Sequence, residues 1–527
     1  MNAARFDAIV IGGGHNGLVT AAYLARAGRT VLVLERRPLL GGAAVTEEVF
    51  PGFKFSVFSY VVSLLRPEII RDLNLPRHGL QILPLESTVT PLDNGDYLAS
   101  WADPDETRRE LCRHSPHDAD AAVLFGRVMH HMAMAVKPIL GMVPPDPTSL
   151  SPADVMGFLR LGGHFRSLGA ERFHALHKLM TMSSADYLDE WFEFDPLKAT
   201  KSASGIIGTF LGPRSPGSAY VLLHHYMGEI DGAFRAWGFQ KGGTGAISES
   251  IARAAQAFGA TIRTGAAVER VLTRDGQATG VALESGEEIA AKVVVSGLDP
   301  RLTFTKLVEP KQLPDDLVEG VRRYKFRGSS GKVNLALDGL PDLTCLPGVG
   351  PHLRGAISIS PSLAYLERAY DDAKYGEFSS HPYMDIVIPS MIDPGMAPPG
   401  KHVMSIFVQY APYALNGGWN DAKREAFGDA VVATLARYAP NLPSRILHRQ
   451  VLTPADVERI TGLSEGNIFQ GELALQQLFF LRPVPAWAKY RTPVGGYWQC
   501  GAGTHPGGGI MGGSGRLAAL EILKEGA

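Results

Sequence analysis

The chain has 527 residues, 45% of them hydrophobic and 20% charged, with a formal net charge of −2. That is the make-up of a globular protein of two or three domains, and it excludes the broad basic surface that nucleic acid requires. The three cysteines, Cys112, Cys345 and Cys500, stand far apart, which excludes a disulfide framework and a redox dithiol and points to a reducing, cytoplasmic setting.

The first element opens within the first dozen residues. Ala8 to Ile11 predict a short buried strand, Gly12, Gly14 and Gly17 keep the G-x-G-x-x-G register, and Leu18 to Arg26 continue as a periodic helix. In such a turn Gly12 permits the sharp bend, Gly14 lets backbone N–H groups reach a diphosphate, and Gly17 lets the helix lie close to the strand. His15 and Asn16 stand at the helix N-terminus, which faces the phosphates. Gly28 ends the helix, and Thr30 to Leu34 predict a second strand. Glu35 at its carboxyl end is placed to accept ribose hydroxyls and to repel a 2′-phosphate. Arg36 and Arg37 then read as diphosphate-facing or solvated rather than as an NADP clamp. So early a strand leaves no room for a secretory signal, and none is expected.

Residues 121–143 are the most membrane-like stretch, yet Arg127, His130, His131 and Lys137 interrupt it, so no spanning helix is predicted. Burial in a core, contact with a membrane surface and the wall of an apolar cavity are its open readings. The adjacent pairs His130/His131 and His224/His225 diverge on a helix, and His174 with His177 lacks a third ligand, so no metal site is expected.

A second nucleotide-type block runs from 238 to 304. Ile247, Ile251, Ala254 and Phe258 form a helical stripe that Gly259 stops, and Thr261 to Thr264 predict a strand. A meander follows: Val268 to Thr273, a turn at Asp275-Gly276, Gly280 to Glu284, a turn at Ser285-Gly286, and Ile289 to Ser296. Val293-Val294-Val295 suits a parallel strand covered on both faces, and Asp299-Pro300 a capped helix start. Lys332 to Leu337 and His402 to Gln409 predict further strands. In the final block, Tyr497 to Cys500 predict a strand and Arg516 to Lys524 a helix. The glycine-dense 501–515 between them reads as backbone packed against a ligand. Glu472, in GNIFQGEL, reads as a carboxylate at a helix N-terminus or as a substrate-facing acid.

Six stretches together carry a resemblance: VIGGGHNGL (10–18), LERRPLLGGAA (34–44), PEIIRDLNLPRHGL (67–80), GPRSPGSAYVLLHH (212–225), LFFLRPVP (478–485) and CGAGTHPGGGIMG (500–512). They span nearly the whole chain, which resembles the phytoene desaturase-like branch of the FAD-dependent amine oxidase superfamily. More narrowly, it is similar to a dehydrogenase-related group named for a pyridine nucleotide-disulfide oxidoreductase domain, although no cysteine pair supports the disulfide part of that name.

The resemblance implies an α/β fold: a Rossmann-type FAD-binding domain, parallel sheet plus β-meander, with an inserted mixed α+β substrate domain. The first would comprise 1–95, 235–305 and 466–527, the second 96–234 and 306–465. It implies FAD as the cofactor. Gly41 and Gly42 would lie where the chain passes the diphosphate, and the Val268 backbone would pair with adenine. Gly503 and Thr504 would lie by the diphosphate and ribityl chain, and Gly512, Gly513 and Ser514 would face the flavin pyrimidine edge. The implied reaction is hydride transfer from a hydrophobic substrate, polyene or carotenoid-like, to flavin N5, with an oxygen-using amine or alcohol oxidase and a redox-neutral polyene isomerase as alternatives. His505 is the catalytic candidate, an ionisable group beside the flavin; bracing of the loop by hydrogen bonds is its other reading. Residues 203–212 and 404–415 are tunnel wall or core. The expected partners are a small hydrophobic substrate and a quinone or oxygen as electron acceptor, with peripheral membrane contact and oligomerisation open.

Overall fold

The computed structural model describes residues 6–526. Its first sheet has seven strands. Phe6–Ile11 lies at the centre, parallel to Val31–Leu34 on one side and to Glu288–Ser296 on the other, and Thr261–Arg263 extends the edge beyond Val31–Leu34. The central strand is apolar on both faces, as a parallel sheet between helical layers requires. Glu288–Ser296 serves two purposes. Its first half pairs antiparallel with Gln277–Leu283 in the meander, and its second half, Val294 to Ser296, pairs parallel with Tyr497–Gln499 from the far end of the chain. The turn between Val268–Arg274 and Gln277–Leu283 is Asp275-Gly276, both at positive φ (51° and 74°), as a tight hairpin demands. Asp299 caps the next helix by accepting the Leu302 N–H at 3.1 Å.

The second seven-stranded sheet runs Ile446–Leu452, Ser330–Leu337, His402–Gln409, Tyr383–Val387, Ala356–Ile359, Ser87–Pro91, Tyr97–Trp101. The sequence division is corrected here. Residues 87–91, counted with the nucleotide block 1–95, belong to this sheet, because Ala356 and Ile357 pair with Thr88 and Val89. Val333, Leu335 and Leu337 enter a core on one face of the sheet. By strand alternation Ser330, Lys332 and Asn334 occupy the other face, and all three are buried.

The stretch 121–143 falls mostly within a 25-residue helix, Pro116–Leu140. Phe125, Met129, Met132, Ala133 and Val136 join a hydrophobic core, whereas Val123, Leu124 and Met134 are exposed. No helix among the described residues is long and apolar enough to cross a membrane.

Candidate active site

The glycine turn has the geometry its spacing implies. Gly12 sits at φ +95°, and a Cβ on Gly17 would stand 2.2 Å from the Gly12 carbonyl oxygen, so only glycine lets the opening helix, His15–Arg26, approach this strand. The Gly41 N–H donates to the Gly13 carbonyl at 2.8 Å, and a Cβ on Gly42 would lie 3.5 Å from the Gly14 Cα. The second glycine pair is thus laid against the first turn. Glu35 is buried and accepts from the Gly13 N–H at 2.7 Å and the Arg37 N–H at 2.8 Å. These bonds fix its carboxylate at the strand end while each oxygen keeps acceptor capacity for a ligand hydroxyl. The Glu35 carbonyl accepts from Ala266 N–H, which brings the segment entering Val268 alongside. Arg36 turns outward, donating to the Ile460 carbonyl at 2.9 Å, and Arg37 pairs with Glu47 at 2.7 Å.

The tail of the chain closes on the same turn. A Cβ on Gly515 would lie 2.2 Å from the Asn16 carbonyl oxygen, the Asn16 Oδ1 accepts the Gly515 N–H at 3.4 Å, and the Thr20 hydroxyl donates to the Gly515 carbonyl at 3.0 Å. Gly512 (φ +70°) leads into the terminal helix, Gly513–Lys524, and the Ser514 hydroxyl donates to the Thr504 carbonyl at 3.3 Å. Thr504 in turn donates to the Gly501 carbonyl at 2.8 Å, and the Gly503 N–H donates to Gln470 Oε1 at 3.0 Å. Gly503 and Thr504 therefore stiffen the loop, while Ala502, Gly508, Gly509 and Ile510 line a cavity.

That cavity is bounded by Gly14 to Gly17, Gly41 to Ala44, the loop 58–64, and side chains of the second sheet. Its walls are largely apolar, with Leu64, Ile207, Phe407, Ile468 and Phe469 among them. The residues fit a flavin dinucleotide: side chains at Gly17 or Gly515 would force the elements apart, Glu35 is aimed and fixed, and His15 Nε2 is buried without a partner among the described residues. The profile of flavin containing amine oxidoreductases matches residues 17–523.

The chain belongs to the flavin-containing amine oxidoreductase family.

Its relatives agree. It is 41% identical over 545 residues to pyridine nucleotide-disulfide oxidoreductase domain-containing protein 2 of Rattus norvegicus, covering 99% of this chain and 94% of the relative. It is 25% identical over 550 residues to the lycopene-forming phytoene desaturase of Paracoccus sp., covering 100% and 99%. Among solved structures, an oxidoreductase from Methanosarcina mazei superposes with a TM-score of 0.61 at 18% identity over 98% of this chain and 99% of that one, which shows the shared fold. The chain is a flavin-containing oxidoreductase of this family, and its cofactor is FAD.

Within this site, the His505 side chain turns away from the cavity toward a distant helix. Its ring is buried and absent from the cavity wall; Nε2 donates to the Ile139 carbonyl at 3.1 Å, and the ring packs edge-on against Phe479. Burial pushes its pKa down to about 3. Glu472 lies in a loop and not at a helix N-terminus: it is fully buried, paired with Arg327 at 2.6 Å, and burial raises its pKa. Of the stretches read as tunnel or core, Ile207 and Phe407 reach the cavity while Ile206, Ile406 and Val408 are core.

The group that sequence reasoning missed is Lys332. It lines the cavity, is 3% exposed, and its Nζ has no hydrogen-bond partner among the described residues. Nζ lies 4.4 Å from the centre of the Tyr60 ring, and Tyr60 stacks on Phe407. Phe407 is the cross-strand neighbour of both Lys332 and Asp385, and the Tyr60 hydroxyl donates to Asp385 Oδ2 at 2.5 Å. Tyr60 thus spans a row of an amine, a phenyl ring and a carboxylate. Burial holds the Lys332 amine well below its usual pKa, opposed by the Asp385 charge, and pushes Asp385 up to about 6. The lysine is a buried amine whose charged form burial disfavours, and it faces an apolar chamber.

The buried histidines make the fold acid-sensitive. Burial lowers His224 and His505 to about 3 and His225 to about 4. Below the ordinary histidine pKa the unfolded chain binds these protons first, so stability falls with pH from about 6.5 downward, by up to about 2 kcal/mol per histidine at pH 5. Asp385, raised, works the other way and offsets part of one histidine. Urea unfolding of the flavin-free protein should give a clearly lower midpoint at pH 5 than at pH 7; equal midpoints would show that these rings are hydrated or paired.

Proposed function

We propose that the chain is an FAD-dependent dehydrogenase that oxidises a C–H bond of a hydrophobic substrate held in this cavity beside Lys332. The observation that carries the reading is the cavity itself, which joins the dinucleotide turn to apolar walls and to an amine that is unpartnered among the described residues. Oxidised flavin, when bound, supplies the hydride acceptor. The protein's own residues do the rest. The glycine turn and the N-terminus of the opening helix hold the diphosphate, and Glu35 holds the ribose. Leu64, Ile207, Phe407 and Phe469 exclude water from the reacting carbon, and Lys332 Nζ accepts the proton that leaves as the new double bond forms. Protonated Lys332 is then held by the Tyr60 π face and the Asp385 charge.

Similarity to a phytoene desaturase supports a polyene-like substrate. A second reading, an oxygen-using oxidase of apolar alcohols or amines, is favoured by Lys332, because a pure hydrocarbon leaves its amine without a hydrogen-bond partner. Anaerobic mixing of the yellow protein with panels of polyenes, acyl chains, alcohols and amines tests both. Bleaching by a hydrocarbon, with reoxidation by quinones and not by oxygen, supports the first. Bleaching by alcohols or amines with peroxide release in air supports the second, and no bleaching by any of them removes both.

A further inference from the structure

The stretch LFFLRPVP contains an arginine that the proposed chemistry does not use. Arg482 is fully buried, and its guanidinium is satisfied entirely by backbone carbonyls. Ala502 accepts from Nε at 3.1 Å and from Nη2 at 2.8 Å, Phe469 and Gly471 from Nη2 at 2.9 and 3.2 Å, and Glu472 and Gln477 from Nη1, both at 3.2 Å. Among the described residues no carboxylate pairs with it. Neutral carbonyls solvate a cation without cancelling its charge, so the guanidinium keeps a full positive charge in a dry interior, where charges act over longer distances than in water.

Its position gives that charge a target. The carbonyls it gathers belong to the two segments that wall the cavity through Phe469, Gln470 and Ala502. A Cβ on Gly507 would stand 3.8 Å from Arg482 Nε, so the guanidinium lies directly behind the turn that presents Gly508 and Gly509 to the cavity. The field reaches neighbouring groups: after burial, Arg482 contributes to the lowered pKa of both His224 and His505. A clasp alone needs no charge, since an amide side chain donates to carbonyls without the several kcal/mol that burying a cation costs.

We propose that Arg482 is the positioning residue that sets the electron affinity of the bound flavin, its fixed charge favouring the negative charge the flavin gains on reduction. This rests on the FAD assignment and not on the identity of the substrate.

The test needs no substrate. Flavin-loaded wild type, Arg482→Met and Arg482→Lys are compared by anaerobic redox titration and by sulfite titration, because sulfite adds to oxidised flavin and leaves the same negative charge on the ring. Arg482→Met should favour oxidised over reduced flavin at least tenfold more than wild type, a fall of about 30 mV for a two-electron couple, and should bind sulfite at least tenfold more weakly. Arg482→Lys keeps the charge but loses the fork, and should stay within about threefold of wild type on both measures, whatever it loses in stability. Equal shifts in the two variants, or a wild-type potential in Arg482→Met, would reduce the arginine to a clasp. If Arg482→Met does not retain flavin, Arg482→Gln takes its place under the same criteria. If neither neutral variant retains flavin while Arg482→Lys does, failure of the wild type to bind sulfite overturns the proposal. A colourless wild type would instead strike down the FAD assignment.

Discussion

Gly17→Val is expected to yield a folded but colourless protein. The first atom of any side chain at this position would sit 2.2 Å from the Gly12 carbonyl oxygen and 3.3 Å from Val10 Cγ1. The first is a backbone atom of the turn that ends the central strand and cannot swing aside. The opening helix must therefore lift off the sheet, which turns its N-terminal N–H groups away from the diphosphate and separates Asn16 from Gly515. Loss of that anion site should weaken FAD binding by more than a hundredfold, visible as the missing flavin absorbance of the purified protein and checked by titration with free FAD. Gly162→Ala is the control: it lies in an exposed helix with no atom within 4 Å of the added Cβ, and it should keep full colour. A yellow Gly17→Val protein would show that this turn does not bind the cofactor.

The second large effect is kinetic. Lys332→Met fills the same volume, removes an unpartnered buried amine and should cost no stability. Loss of a proton acceptor should slow flavin reduction by about 10²- to 10⁴-fold while FAD binding stays intact. The pH profile carries the sign. Lys332 accepts a proton only when neutral, so the wild-type rate should rise with pH through the lowered lysine pKa and then level. The groups that face it are Tyr60 from the loop 58–64 and Asp385 from the strand Tyr383–Val387, with His15 and His225 on the cavity wall. Asp385→Asn deletes the charge that holds the lysine pKa up, so the rising limb should move to lower pH, whereas Lys332→Met should lose it. Stopped-flow reduction rates decide the matter; an unchanged rate in Lys332→Met would end the base assignment.

What could be read in advance follows from how local each feature is. The turn at Gly12 to Gly17, the hairpin at Asp275-Gly276 and the Asp299 cap each depend on neighbours a few residues away, and residue type alone states the constraint. The pairing of Ile446–Leu452 with Ser330–Leu337, and of Ala356–Ile359 with Ser87–Pro91, joins segments more than a hundred residues apart, and nothing in their composition names the partner. Hence the block boundary at 95 fell inside a sheet. His505 was placed by its company of glycines, but where its ring points depends on Ile139, which lies in a distant helix. Lys332 did leave a signal: it alternates with Val333 and Leu335 in a strand, at the parity of Asn334. That signal becomes legible only when both faces of the sheet are known to be covered, since on an exposed face the same lysine is ordinary.

The clasp between Gly515 and Asn16 has a consequence for biogenesis. A ribosome adding about 5–20 residues per second needs roughly 25–100 s to pass from one partner to the other. Throughout that interval the nascent N-terminal unit carries an apolar helix face with nothing to cover it, so holding by a chaperone, and a supply of FAD at release, should govern the yield of active enzyme more than the stability of the finished molecule does.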